Sequence, residues 1–276
     1  MYDISFILPV SLKDTKKRIY SRRIPLFKKY GLPNVRDKKI KLFLLVGNED
    51  ISDIEDGWNY DIEIVRSDFS YAVYKIHKFY STLTNNMISQ SRWFMQLDDD
   101  SITNVSDLVD RLDKDYNYKE KYNITGINPY SGISKEIPVY NHYIEMILKT
   151  SYKEIFNREN SHKYNSHGWE HIIFSQGALY HFISKSNNIV ILNKSFNEVF
   201  HRVLPTEVLQ SILSNICGIK FCEVEFLSYL PYFYKLVNKE LLHIHYIYET
   251  KIYKDICDDG VHYFGEKIIK LLENNT

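Results

Sequence analysis

The chain has 276 residues, long enough for one large domain with a substantial buried core. Its 35 Lys+Arg balance 35 Asp+Glu, so the formal net charge is zero and bulk attraction to nucleic acid or anionic lipid is excluded. Cys217, Cys222 and Cys257 are odd in number and lack Cys-x-x-Cys spacing, which argues against a disulfide framework. The local basic cluster of Lys16-Lys17-Arg18 with Arg22-Arg23 reads as one solvated helix face. Apolar runs such as Lys41 to Val46 are too short to span a bilayer, and the N-terminus lacks the pattern of a secretory signal. The expectation is a cytoplasmic protein with reduced thiols, or one peripheral to the inner face of a membrane.

Ile4 to Val10 is short, apolar and closed by Pro9, which predicts a buried strand. Asp14 to Tyr30 predicts a helix stopped at Gly31 and Pro33. Ile40 to Val46 and Ile62 to Val65 predict two further strands. Tyr71 to Met87 has helical periodicity, Trp93 to Leu97 reads as the next strand, and Val105 to Leu112 as a helix. Strands alternating with helices predict a wound, mostly parallel α/β sheet flanked by helices. Asp113 to Lys121 reads as exposed, and Asn123 to Asn128 as another strand. Tyr130 to Tyr164 has no assignment. Ile172 to Ser184 carries a Gly177-Ala178 break, and Thr206 to Cys217 predicts an amphipathic helix after Pro205. No linker divides the chain. A single domain over 1–276 is expected, its nucleotide-binding half over about 1–115 and its acceptor and catalytic half over about 116–276.

The most informative stretch is Trp93-Phe94-Met95-Gln96-Leu97-Asp98-Asp99-Asp100-Ser101, an apolar run ending in three carboxylates. Adjacent carboxylates repel, so such a cluster is poorly explained by folding alone. A divalent cation removes the repulsion and can grip a diphosphate with its remaining positions. In wound sheets, ligands bind outside the carboxyl ends of the strands, where this cluster falls. The structural alternative is a solvated acidic turn capping the next helix, with Ser101 or Asn104 as N-cap.

Arg92 to Leu112 resembles the fringe-like β1,3-glycosyltransferases of the GT-A fold. The resemblance rests on the Trp93-Phe94 strand, the Asp98-Asp99-Asp100 cluster and the Asn104-Val105 step into a Leu-rich helix. Four other segments follow the family's order: Lys78, Ser175-Gln176-Gly177-Ala178, Leu204-Pro205-Thr206-Glu207-Val208 and Leu242-His243-Ile244-His245. Gln176 stands where the family has Gly, and Glu207 where Asp is usual; both departures bear on the acceptor pocket. The resemblance covers roughly residues 60 to 250 and implies a GT-A-like fold. It also implies an inverting, metal-dependent hexosyl- or N-acetylhexosaminyltransferase that uses a nucleotide-sugar donor, UDP-sugar in the first instance.

By the resemblance, Asp100 binds Mn²⁺ or Mg²⁺, His243 or His245 completes the metal shell, and Asp98, Asp99 and Lys78 contact the donor. Imidazole beside carboxylates suits Mn²⁺ better than Ca²⁺. Glu207 would be the general base, with Glu198 and Glu170 as fallbacks; its structural alternative is a first-turn Glu complementing a helix dipole. The acceptor would be a glycan or lipid-linked glycan, as in bacterial surface polysaccharide synthesis. No nucleic-acid partner is expected.

Other patterns compete. A non-catalytic, cation-dependent glycan-binding module would use the same acidic cluster. His167-Gly168-Trp169-Glu170-His171 matches a zinc peptidase motif, with Glu249 as a third ligand, and requires a helix that Gly168 and the β-like Ile172-Ile173-Phe174 exit disfavour. The Asp-x-Asp loop of haloacid-dehalogenase-type phosphatases belongs after a first strand, and an EF-hand fails on Ile102 and the missing central Gly.

Overall fold

The computed structural model describes residues 1–10, 24, 27–32, 34–47, 57–67, 72–99, 101–126, 172–186, 214, 217–229 and 243–245. The strands are β1 (Tyr2–Pro9), β2 (Ile40–Val46), β3 (Asp61–Arg66), β4 (Ser91–Gln96) and β5 (Ile102–Thr103). Beyond these come β6 (Tyr122–Gly126), β7 (Ile172–Ser175), β8 (Lys220–Val224), β9 (Leu227–Tyr229) and β10 (His243–His245). The helices among the described residues are α1 (Ala72–Thr82), α2 (Asn85–Ser89), α3 (Val105–Asp115) and α4 (Gln176–Ser186). None is long and apolar enough to cross a membrane.

Among the described residues, seven strands form one sheet in the order β3-β2-β1-β4-β7-β6-β8. β1 pairs in parallel with β2 and β4, β2 with β3, and β6 with β8; β7 runs antiparallel to both β4 and β6. The expected α/β class, a mostly parallel sheet flanked by helices, is therefore what the chain adopts. The insertion of β7 makes the sheet mixed.

Alternation along the strands divides the core between the two faces. Phe43, Leu45, Ile7 and Phe94 face one cluster with Ile76, Phe79 and Tyr80 of α1 and with Leu179 and Phe182 of α4. Ile4, Phe6, Leu8, Leu42, Leu44, Trp93 and Met95 face the other, with Val105, Leu108, Val109 and Leu112 of α3. α3 is amphipathic: Leu108, Val109 and Leu112 are fully buried while Asp113 and Lys114 are exposed. At the amino end of the sheet the Arg92 guanidinium donates to Asp3 and Asp113, and Trp93 Nε1 donates to Asp113 Oδ1 at 2.8 Å, tying the end of α3 to β1 and β4.

Two expectations differ in detail. The helix expected over Tyr71 to Met87 is two helices, interrupted at Leu83-Thr84, where the Thr84 hydroxyl accepts from the Met87 N–H at 3.2 Å and caps α2. The turn Phe27–Gly31 is π-helical and ends at Gly31; glycine is required there because a Cβ would meet the Phe27 ring at 2.4 Å. Most of the helix expected over Asp14 to Tyr30, and nearly all of the one over Thr206 to Cys217, lie outside the described residues.

The Ser175-Gln176-Gly177-Ala178 segment ends β7 and opens α4, so the break expected at Gly177-Ala178 falls in the first turn of a helix. Ser175 Oγ accepts from the Tyr122 N–H at 2.9 Å and from the Ala178 N–H at 3.2 Å. Gln176 Nε2 donates to the Ser91 carbonyl at 2.9 Å and the Ile88 carbonyl at 3.2 Å. Gly177 is required by close backbone approach, since its N–H donates to the Tyr118 carbonyl at 2.9 Å. A Cβ on it would lie 2.1 Å from the Lys119 carbonyl oxygen. Gly177→Ala is therefore expected to cost about 2–3 kcal/mol, as overpacking against immobile backbone does. Urea unfolding at unchanged m measures it, and an unshifted midpoint would show that α4 does not dock on the 117–120 turn as described.

Candidate active site

The parallel strands deliver their exits to one edge. Their hydrogen bonding continues past the strand ends: the Val10 N–H donates to Leu45, that of Ser67 to Val46 and that of Leu97 to Ile7, each at 2.9 Å. The acidic cluster follows Leu97 directly, so the carboxylates leave the sheet from β4, its central strand. Asp98 is half-buried and Asp99 buried; Asp100 lies outside the described residues.

The chain closes on itself at Ser101, whose hydroxyl donates to the Asp98 carbonyl at 2.7 Å and whose N–H donates to it at 3.3 Å. It then forms β5 before α3 begins at Val105, with Asn104 as the N-cap residue. The Asn104 side chain does not cap the helix: its amide donates to Asp107 Oδ2 at 2.6 Å and its oxygen accepts from Asn34 Nδ2 at 2.8 Å. Asn34, held at a φ of 55°, also accepts the Ser106 N–H on its carbonyl at 3.0 Å. The start of α3 is thus fixed by Asn34 and Asn104, and a strand separates it from the acidic turn. Helix capping does not account for Asp98 or Asp99.

A second sheet lies at this same edge. Among the described residues it has three strands in the order β5-β10-β9. β5 leaves the large sheet from the end of β4, and β9 follows the end of β8 through the turn at Glu225-Phe226. β10 sits between them, antiparallel to β5 with His243 opposite Thr103 and Ile244 opposite Ile102. Continuing that register sets the backbone of His245 beside Ser101, the residue after Asp100. Backbone pairing thus brings the acidic segment and the His-Ile-His segment, remote in sequence, to adjoining positions. The side chains of His243 and His245 are outside the described set. Among the described residues, no group of three or more His, Cys, Asp and Glu side chains is gathered to hold a metal ion.

Lys78 is exposed on α1. Among the described residues, Lys75 brings a cation to the exit edge: it is 1% exposed, and its Nζ donates to the Val10 carbonyl where β1 ends. A signal for it was present in the sequence: Lys75 precedes Phe79 by four residues, and both lie on the buried stripe of α1. Its aliphatic stem packs in the core while its ammonium reaches the edge. Glu207, Glu198, Glu170, His167, His171 and Glu249 lie outside the described residues. The exit from the His167–His171 segment is strand β7, as expected, rather than a continuing helix.

No family model matches this chain, and no curated protein matches it. Over 96% of its length the structure is similar to the crystal structure of the glycosyltransferase GlyE from Streptococcus pneumoniae TIGR4, with a TM-score of 0.46 and 14% sequence identity. The chain spans 63% of that protein, a little under two thirds.

The site geometry separates the two lysines. Lys75→Ala is expected to cost about 2–4 kcal/mol, through the lost charged hydrogen bond and the cavity left by the stem. Lys78→Ala, on the exposed face, is expected to stay within about 0.5 kcal/mol of wild type. Equilibrium urea unfolding of both variants provides the comparison, and equal effects would contradict the placement of the two side chains.

Proposed function

We propose that this chain is a metal-dependent glycosyltransferase, moving a hexosyl or N-acetylhexosaminyl group from a nucleotide-sugar, UDP-sugar in the first instance, to a glycan hydroxyl. The observation that supports this most is the pairing of β5 with β10. It sets the segment after the acidic cluster beside the segment carrying His243 and His245, at the exit edge of the large sheet. A binding site at that edge is what a wound α/β sheet favours.

The donor set fits a borderline-hard divalent ion: carboxylates from Asp98 to Asp100 and an imidazole from His243 or His245 suit Mn²⁺, with Mg²⁺ as the alternative. In this reading Asp100 and one of the two histidines hold the ion, while Asp98 and Asp99 face the ribose or donor sugar. Bound there, the ion would stabilise the charge that develops on the departing diphosphate. Glu207 would take the proton of the attacking acceptor hydroxyl, and attack from the face opposite the leaving group inverts the anomeric carbon. Lys78 is assigned to the donor phosphates by the family resemblance alone. Lys75 acts beneath them, fixing the end of β1. The acceptor would be a glycan or lipid-linked glycan on the cytoplasmic side, with the enzyme free or peripheral at the inner face of a membrane.

Thermal shift with UDP and Mn²⁺ tests the class, since a ligand that binds only the native state raises its apparent stability. A rise in Tm that needs both nucleotide and metal is expected; absence of a metal-dependent response to any nucleoside diphosphate would remove the proposal. Asp100→Ala is expected to abolish that response. Glu207→Gln should keep it and lose roughly 10²–10⁴-fold in transfer rate, because only proton abstraction is removed. Near wild-type transfer by Glu207→Gln would move the base to Glu198 or Glu170. A product that keeps the donor's anomeric configuration would rule out a single displacement.

A further inference from the structure

The opposite edge of the large sheet carries a concave surface. At the amino ends of β1, β2 and β3 a cleft of about 750 Å³ is lined by Tyr2, Lys39, Trp58, Asn59, Tyr60 and Asp61, among others. β1 is 8 residues long, so at roughly 3.3 Å per residue this cleft lies about 25 Å from the acidic turn. None of the residues assigned to transfer lines it.

Its lining mixes the aromatic Tyr2, Trp58 and Tyr60 and the aliphatic Met1, Val35 and Ile40 with polar and charged groups. The Tyr2 hydroxyl donates to Asp61 Oδ2 at 2.8 Å and that of Tyr60 to the Leu32 carbonyl at 3.2 Å, so both phenols are engaged within the protein. What these residues offer the cleft is ring surface. Burial pushes the Tyr60 phenol up to about 12, which keeps it neutral. Trp58 is half-buried, tilted against Phe27 with centroids 6.3 Å apart and lying 5.0 Å from Lys28 Nζ. These contacts preset its orientation, which lowers the ordering cost of binding. Lys38 is paired with Asp110 at 2.5 Å, and the exposed Lys39 and Asp61 contribute one charge of each sign to the lining.

That chemistry selects an occupant. A lipid or apolar peptide would strip water from Asp61, Asn59 and Lys39 without replacing its hydrogen bonds. A polyanion would meet the Asp61 carboxylate, which opposes it beside the cations of Lys39 and Met1. A neutral sugar chain presents apolar C–H faces to the rings and hydroxyls to the rim, the mixture that such a lining recognises. We propose that this cleft is a second, non-catalytic site that binds an uncharged oligosaccharide chain, with Trp58 and Tyr60 against the sugar faces and Lys39, Asn59 and Asp61 bonding its hydroxyls. The assignment rests on the cleft and not on the transfer reading. If both hold, the cleft tethers a glycan to the enzyme and raises the effective concentration of its free end at the acidic turn.

The chain has three tryptophans, Trp58, Trp93 and Trp169, so ¹⁵N-Trp labelling of the full chain gives one indole signal for each. Maltohexaose, chitohexaose and laminarihexaose would be titrated separately to roughly 10 mM, which captures millimolar affinities. At least one is expected to move the Trp58 signal while that of the fully buried Trp93 stays. Trp58→Ala should weaken binding at least about tenfold, and the surface double variant Lys39→Ala/Asn59→Ala about fivefold, typical losses for central and rim contacts. The double variant decides the matter if Trp58→Ala does not fold. No movement with any of the three sugars, movement confined to Trp169, or unchanged affinity in the double variant would overturn the proposal. Failure to bind UDP and Mn²⁺ would remove the transfer reading and leave this one standing.

Discussion

The parallel hydrogen bonding of β1 to β2 on one side and to β4 on the other is the constraint on which the rest of the structure depends. Ile4 pairs with both Ile40 and Trp93, and Phe6 with Leu42 and Met95, so the three strands share one direction and one register. Parallel neighbours need crossovers that return the chain to the starting edge. The return from β3 to β4 supplies α1, which buries one face; α3, which follows β5, buries the other. The consequence for function is geometric: every parallel strand ends at the same edge, and whatever side chains follow those ends are gathered there.

At that edge the electrostatics diverge from what folding requires. Three carboxylates in succession follow β4, and α3 begins only after β5 intervenes, so the positive end of the helix is not what Asp98 and Asp99 answer. The buried Lys75 brings a cation to the end of β1, an uncommon use of lysine that burdens stability unless the charge is bonded. The opposite edge is built for stability. Arg92 bridges Asp3 and Asp113 there, Ser175 and Gln176 satisfy backbone groups, and Gly177 allows α4 to lie against the 117–120 turn. The Ser175-Gln176-Gly177-Ala178 segment belongs to this stabilising edge, because β7 runs antiparallel and carries its carboxyl end away from the acidic turn.

The small sheet links the two halves of the chain. β5 continues from β4 and β9 from β8, so each of its outer strands is fed by the large sheet, and β10 fills the gap between them. A three-stranded sheet of such short strands has little stability of its own. It holds because the exits on either side of it are already fixed.

The sequence by itself determined the strand β2 over Ile40 to Val46, the strands near β1, β3 and β4, the helix α3 and the placement of the acidic cluster at a strand exit. All of these follow from local signals: continuous apolar runs for strands buried on both faces, 3.6-residue periodicity for α3, and mutual repulsion within Asp98-Asp99-Asp100. Only the tertiary structure decided the antiparallel course of β7, because strand direction is set by which neighbour supplies the hydrogen bonds and not by side-chain pattern. It also decided how deep the apolar stripe of α1 runs: Lys75 and Lys78 are three residues apart and lie on neighbouring positions of one helix, and packing against the sheet buries the first and leaves the second exposed. The meeting of β5 with β10 was beyond sequence for the same reason: residues Ile102 and Ile244 adjoin through a ladder that local preference cannot specify.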